Sequence, residues 1–270
     1  MCPESAVVDF PRGGALRIHP TPDQLPRERL RGESGPYRYD DANPDPASDT
    51  AFSVRYLASS LRGCLVEVLA QFRPPNDETR ELLRSVANVT DDAGRNQQPK
   101  RGLSSYLSKV KIGRCQVFPD QGPFVSVHDS ALHAVLDSAP PVRDVLDSTW
   151  GQAFWGVDQH IDEAKVRLDG KGRRLTQAIS TCIHQFEPRP AGIHYRSKHD
   201  DNEDCWAIYD HTQVTFADIS PLDPAEARHR AAVADVAALW EIDPPRPWMS
   251  IVDLNSATDR DSRAGLGSPS

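Results

Sequence analysis

Several motifs that would assign a chemistry directly are missing from this sequence. None of its five cysteines forms a CxxC pair, which argues against a zinc ribbon or a thioredoxin-type redox site. Neither GxGxxG nor GxxxxGK[ST] occurs, so a Rossmann or P-loop nucleotide site is not expected. HExxH and GxSxG are absent too, and the nine histidines show no metal-ligand spacing, which disfavours a metalloenzyme and a Ser–His–Asp hydrolase.

Long apolar runs are also lacking, and a secretory leader is not expected. No run approaches the ~18 residues of a transmembrane helix, and the opening MCPESAVVDFPRGG has an acid and a proline where a signal peptide needs basic and then apolar residues. The odd number of widely spaced cysteines indicates free thiols in a reducing compartment, so a cytoplasmic location is expected. A net charge of −8 disfavours direct binding of nucleic acid.

What is present indicates an α+β domain, with strands scattered between helices. Residues 1–14 are expected to form a loose arm, 15–250 a single domain, and 253–270 a disordered tail. The 23 prolines predict long irregular segments, of which 20–50 is the main one. Alternation and 3.6-residue periodicity predict strands at 15–19, 52–58, 110–118, 124–127, 192–198 and 205–210, and helices at 60–72, 76–87, 129–137, 172–186 and 225–240.

Glu67 is the most informative single residue. It is the only charged group within GCLVEVLA, on a helix that directly follows a strand, and a carboxylate there is expensive to bury unless it is paired. The competing interpretation is a glutamate at the helix edge that reaches water.

Arg17, Arg38 and Ser197 are weaker candidates when each is taken alone. The two arginines flank the proline-rich loop, and a guanidinium suits planar binding of phosphate, although a solvated or ion-paired surface arginine is the ordinary alternative. Ser197 ends the predicted strand GIHYRSK, where alternation places it on one face with Tyr195, although a serine there is often a turn residue.

In order and spacing, several short blocks resemble the RES-domain family, which is named for an Arg, a Glu and a Ser. An N-terminal set within 15–72 comprises LRIHP, YRYDD, RYLASS and CLVEVL, and a C-terminal set within 172–210 comprises RRLTQAIS, AGIHYRSK and CWAIYD. The sequence departs from the family at Tyr39, where Phe is usual, in the longer acidic loop 40–50, and in the helix predicted beyond 211.

The resemblance implies a mixed sheet with flanking helices, similar to ADP-ribosyltransferases, and an enzyme that consumes NAD as its substrate without a metal. It also implies roles for individual residues. Arg17 and Arg38 would hold the NAD diphosphate, Tyr56 would line or stack on the nicotinamide, Glu67 would be the catalytic carboxylate, and Ser197 would position Glu67 or the ribose. A helix-turn-helix antitoxin is a further implied partner.

Three functions stay open at this point. The first is cleavage of the nicotinamide–ribose bond by hydrolysis or phosphorolysis, as the toxin of a toxin–antitoxin pair. The second is transfer of ADP-ribose to a protein target, and the third is an inactive RES-like scaffold that binds a nucleotide or a partner. The resemblance predicts that Arg17, Arg38, Tyr56, Glu67 and Ser197 line one cleft.

Overall fold

The computed structural model of the chain describes residues 1–23, 38–41, 51–73, 102–157, 159–167 and 172–249. The predicted helix at 76–87, most of the predicted loop at 20–50 and the predicted disordered tail lie outside these residues. Within the described ranges, no helix combines the length and the apolar character needed to cross a membrane.

Strands from both halves of the chain form one eight-stranded sheet in the order β1-β5-β6-β7-β3-β2-β4-β8. The β5–β6 pair is parallel and every other neighbouring pair is antiparallel, so the sheet is mixed. The strands are β1 (Val7–Val8), β2 (Ala15–His19), β3 (Val54–Ala58), β4 (Lys111–Val117), β5 (Phe124–Ser126), β6 (Gly192–Arg196), β7 (Asp204–Tyr209) and β8 (Val214–Pro221).

Eight α-helices accompany the sheet within the described ranges. They are α1 (Leu61–Leu69), α2 (Leu103–Leu107), α3 (Ser130–Asp137), α4 (Pro140–Leu146), α5 (Thr149–Trp155), α6 (Glu163–Val166), α7 (Arg173–His184) and α8 (Ala227–Leu239). Short 3-10 turns occur at Glu4–Ala6, Ala70–Phe72 and Arg246–Trp248.

The two faces of the sheet bury different side chains, because successive residues of a strand point in opposite directions. The face that we call the helix face packs α1 and α7 against the strands, with α8 packed on α1, and it holds the larger core, which includes Ile18, Val54, Ile193 and Tyr209. The other face, called the arm face, buries a smaller cluster. Phe10 of the N-terminal arm stacks there on Phe124 with a centroid separation of 5.1 Å, and Trp206 completes the group.

The predicted α+β class is confirmed, with a mixed sheet and flanking helices. The most strongly periodic segments appear where they are predicted: β2 covers 15–19, α7 lies within 172–186 and α8 lies within 225–240. The strands β1 and β8 were not predicted. With two residues, β1 is too short for alternation to show, and it lies in the segment expected to be a loose arm. Strand β8 is an edge strand with mostly exposed side chains, so its sequence lacks the buried face from which alternation is recognised.

Candidate active site

A carboxylate and a hydroxyl from distant parts of the chain form a hydrogen-bonded pair on the helix face. Glu67 lies in the second turn of α1 and is half-buried, whereas Ser197 follows β6 and is fully buried. The Ser197 hydroxyl donates to Glu67 Oε1 at 2.5 Å. The backbone N–H of His199 donates to the same serine oxygen at 3.1 Å, which leaves the serine proton directed at Glu67.

Arg38 is a buried cation whose hydrogen-bonding capacity is only partly used. Its Nη2 donates to the Tyr39 hydroxyl at 3.1 Å and to the carbonyl oxygen of Val166. Its Nε and Nη1 are buried and have no hydrogen-bond partner in the described part of the chain. Leaving such groups unsatisfied costs about 1–3 kcal/mol each, more when they are charged. An anionic ligand would supply the missing acceptors.

Two tyrosine rings enclose the Arg38 guanidinium. Its central carbon lies 5.1 Å from the centroid of Tyr39 and 5.2 Å from that of Tyr195, and the two rings are 4.9 Å apart. Such contacts are favourable cation–π interactions.

The charge states in this enclosure follow from burial and from the neighbouring groups. Burial lowers the pKa of Arg38, but Tyr39, Tyr195 and Glu67 raise it by more, so its pKa lies above the ordinary value and the guanidinium stays charged. Burial raises the pKa of Tyr39 to about 12 and that of Tyr195 well above 10, so both phenols stay neutral near pH 7.

Tyr56, on β3, fixes the short segment 38–41 beside this pair. Its hydroxyl accepts a hydrogen bond from the Tyr39 N–H at 2.8 Å and donates to Asp40 Oδ1 at 3.3 Å. Burial and the Asp40 carboxylate raise the pKa of Tyr56 well above its ordinary value. From α7, Ser180 donates to the Tyr39 carbonyl at 2.8 Å. The segment that carries Arg38 is therefore held from two sides.

The structure thus brings four of the five predicted residues to one face, Arg38, Tyr56, Glu67 and Ser197, although they are up to 159 positions apart in the sequence.

Arg17 does not join them, and the expectation that it lines the same cleft is wrong. Its neighbours Leu16 and Ile18 pack on the helix face, so strand alternation puts Arg17 on the arm face. There it lies near Cys115 and Arg55, and its Nη1 donates to the carbonyl oxygen of Pro22 at 2.9 Å. The sheet separates it from Glu67.

Two residues of the site, Tyr39 and Tyr195, were not among the predicted site residues. The alternation of GIHYRSK does place Tyr195 on the face of Ser197, so a signal for Tyr195 was present in the sequence. Tyr39 belongs to a segment without periodicity, where only the contacts with Arg38 and Tyr56 reveal it. Across the described residues, no three His, Cys, Asp or Glu side chains are grouped as metal ligands would be.

Comparison with known proteins gives one match. Residues 114–235 match a family model described as RES domain. The matched segment runs from β4 into α8 and includes Ser197, whereas Arg38, Tyr56 and Glu67 precede it. No curated protein matches the chain, and neither does any solved structure.

Proposed function

Residues 114–235 match the RES domain model, and from this premise we propose that the chain binds NAD and breaks the bond between nicotinamide and ribose. Arg38 holds the diphosphate, Glu67 is the catalytic carboxylate, Ser197 orients Glu67, and Tyr56 fixes the segment that carries Arg38. Arg17 has no part in this assignment because its side chain lies on the arm face.

The observation that carries the proposal is Arg38. The buried, charged Arg38 guanidinium has two N–H groups without a hydrogen-bond partner among the described residues. It lies on the same face as the Glu67–Ser197 pair, close enough for Glu67 to raise its pKa. NAD has both the anionic diphosphate that would satisfy those N–H groups and a ribose bond on which a carboxylate can act. Charge-assisted hydrogen bonds to phosphate oxygens are among the strongest in proteins.

The chemistry of the bond explains the need for a carboxylate. Departure of nicotinamide leaves positive charge on the ribose, in an oxocarbenium-like transition state. A carboxylate held next to that charge stabilises it more than it stabilises bound NAD, which is what lowers the barrier. Nicotinamide leaves as a neutral molecule, so no group of the protein has to protonate it. The Ser197 hydroxyl keeps one Glu67 oxygen fixed during this step.

Incubation of the purified protein with NAD tests the proposal. We expect release of free nicotinamide, measured by chromatography. Asp218→Asn serves as the control, because it removes the charge of an exposed ion pair with Arg114 at the edge of the sheet and should leave turnover unchanged. A folded wild-type protein that neither binds NAD nor releases nicotinamide would refute the proposal and favour a binding scaffold.

The same incubation identifies the acceptor of the ADP-ribose group. Free ADP-ribose indicates hydrolysis, ADP-ribose phosphate formed only when phosphate is added indicates phosphorolysis, and label from the NAD adenylate on a protein indicates transfer. We propose a small acceptor, water or phosphate, in keeping with the NAD-consuming members that the chain resembles.

We further propose that the protein acts as a toxin and is neutralised by a helix-turn-helix partner. This part rests on the family alone. Expression in a bacterial host should lower cellular NAD and stop growth, and Glu67→Gln should abolish both effects. Unchanged NAD during expression of active protein would contradict the toxin role while leaving the enzymatic one intact.

A further inference from the structure

The carboxylate of Glu203, just before β7, is buried against the first turn of α1. Ser60, the N-cap residue of that helix, donates to Glu203 Oε2 at 2.5 Å, and Arg62 Nη1 donates to Oε1 at 2.9 Å. Both carboxylate oxygens are therefore bound by α1 residues. Glu203 is only 8% exposed, so this is a buried charge compensated by two donors rather than a solvated surface contact.

Gly63 allows this close approach. A Cβ atom built on Gly63 would lie 2.6 Å from Glu203 Oε2 and 3.0 Å from the Cβ of Ala58, both too close for any other residue without movement. Gly63 is also one helical turn before Glu67, and residues four apart lie on the same side of a helix. The glutamate at 203 is thus seated against the side of α1 that carries Glu67.

The backbone of Glu203 is joined to Ser197. The Ser197 N–H donates to the Glu203 carbonyl at 2.9 Å, which closes the turn between β6 and β7. Inside that turn, Asp200 accepts from Arg62 at 2.5 Å, so a second acid of the turn also binds α1. One residue, Glu203, therefore contacts both supports of the catalytic pair: its side chain holds the helix of Glu67 and its main chain holds Ser197.

We propose that Glu203, with Ser60, Arg62 and Gly63, forms a clamp that positions Glu67 against Ser197 for the reaction. Glu203 is a positioning residue, since none of its contacts is to the reacting groups. The inference rests on the proposed function for its catalytic meaning. The structural part of the proposal, that the clamp sets the distance between Ser197 Oγ and Glu67 Oε1, can be tested separately.

Two single variants break the clamp in different ways. Glu203→Ala removes the carboxylate. Gly63→Ala keeps the carboxylate but displaces it with a methyl group, while alanine improves the helix propensity of α1. Because a misplacement of about 1 Å can cost about 100-fold in rate, we expect kcat for NAD to fall about 10- to 100-fold in both. The Kd for NAD should change little, since Arg38 is untouched.

A double-mutant cycle separates positioning from general support of the fold. If Glu203 acts through Glu67, Glu203→Ala should lower kcat in the wild type but cause no further fall in the Glu67→Gln background. If it only supports the fold, kcat should fall by the same factor in both backgrounds, together with the melting temperature. That second result would overturn the proposal. Asp218→Asn again provides the matched loss of an ion pair away from the clamp.

A crystal structure of Gly63→Ala decides the geometric content whether or not the proposed function is right. The proposal predicts that the Ser197 Oγ to Glu67 Oε1 separation grows beyond hydrogen-bonding distance, about 3.5 Å. An unchanged hydrogen bond in that variant would overturn it. Absence of nicotinamide release by the wild type would instead refute the proposed function. The crystal structure of Gly63→Ala would then be the sole test of the clamp.

Discussion

Glu67 is a carboxylate held in place by the Ser197 hydroxyl, and the proposed reaction depends on its negative charge. Glu67→Gln keeps the size of the side chain and its ability to accept from Ser197. We expect kcat to fall about 10²–10³-fold with little change in NAD binding, because removal of one preorganised electrostatic group has that effect. Nicotinamide release and the melting temperature are the two measurements. A well-folded Gln variant with full turnover would remove the catalytic assignment.

The two arginines provide a test of which face of the sheet binds NAD. Arg38→Lys keeps the charge but loses the planar set of donors, so we expect NAD to bind about 10- to 100-fold more weakly, the equivalent of one charged hydrogen bond. Arg17→Lys, on the arm face, should leave the Kd within about twofold. Calorimetric titration with NAD measures both. A loss of affinity in the Arg17 variant alone would place the ligand on the wrong side of the sheet for Glu67.

At the scale of single residues, the sequence predicted which residues belong to the site better than it predicted which face of the sheet each one occupies. Resemblance of short blocks predicted Arg38, Tyr56, Glu67 and Ser197, and the structure brings them together. It also predicted Arg17, which lies on the opposite face. Successive side chains of a strand point to opposite faces of the sheet, and the neighbouring residues of Arg17 in β2 point to the helix face. Whether Arg17 faced the cleft could not be read from a five-residue strand whose neighbours in the sheet were unknown.

At the scale of single elements, the C-terminal end of α7 contains a histidine kept neutral by its surroundings. The His184 ring stacks on Phe52 with centroids 4.3 Å apart and packs edge-on to Tyr209. Its Nε2 lies 2.7 Å from Arg189 Nη2. Burial, together with the charges of Arg189 and His211, lowers the pKa of His184 to about 3. The folded protein therefore disfavours a proton that the unfolded chain accepts below about pH 6.5.

This arrangement predicts loss of stability in mild acid. Between about pH 6.5 and 3 the unfolded chain is protonated at His184 and the folded chain is not. The free energy of unfolding is therefore unaffected by the titration of His184 above this pH range and falls as the pH decreases through it. We expect the free energy of unfolding to drop by about 1–2 kcal/mol from pH 7.5 to 5, allowing for partial screening by solvent.

Denaturant titrations of wild type and His184→Gln at the two pH values measure this drop. The glutamine retains an acceptor for Arg189 but does not titrate, so its loss should be smaller than that of the wild type. His160→Gln, at an exposed histidine, is the control for a His-to-Gln substitution away from this site. Equal pH dependence in all three would show that His184 contributes nothing to it.

Elements with one buried face were predictable and those without one were not. Helix α7 shows a clear apolar stripe, and nine of its twelve residues are buried. The helices α4 and α5 went unpredicted. Each has only seven residues, too few for two full turns of a periodic pattern.

At the scale of the whole molecule, the sheet interleaves the two halves of the chain. Strands β6 and β7, from the second half, lie between β5 and β3, from the first half, and β8 lies beside β4. Neither half of the chain alone can pair all the central strands of the sheet. We therefore expect one cooperative unfolding transition, in which tryptophan fluorescence and far-UV circular dichroism follow the same curve. A fragment of residues 1–120 should be unfolded. Two separated transitions, or a folded fragment, would contradict this expectation.

The neighbours of β3 also set the order of events during synthesis. Between β3 and β7 lie residues 59 to 203, 145 in all, and Ser197 is near the end of that stretch. At about 5–20 residues per second, a ribosome needs about 7–30 s to add them. For most of that interval, from the addition of Glu67 to that of Ser197, the nascent chain has Arg38 and Glu67 but lacks both the serine and strand β7. Under the proposed function, the growing chain therefore gains the complete catalytic pair only after most of its length has been translated.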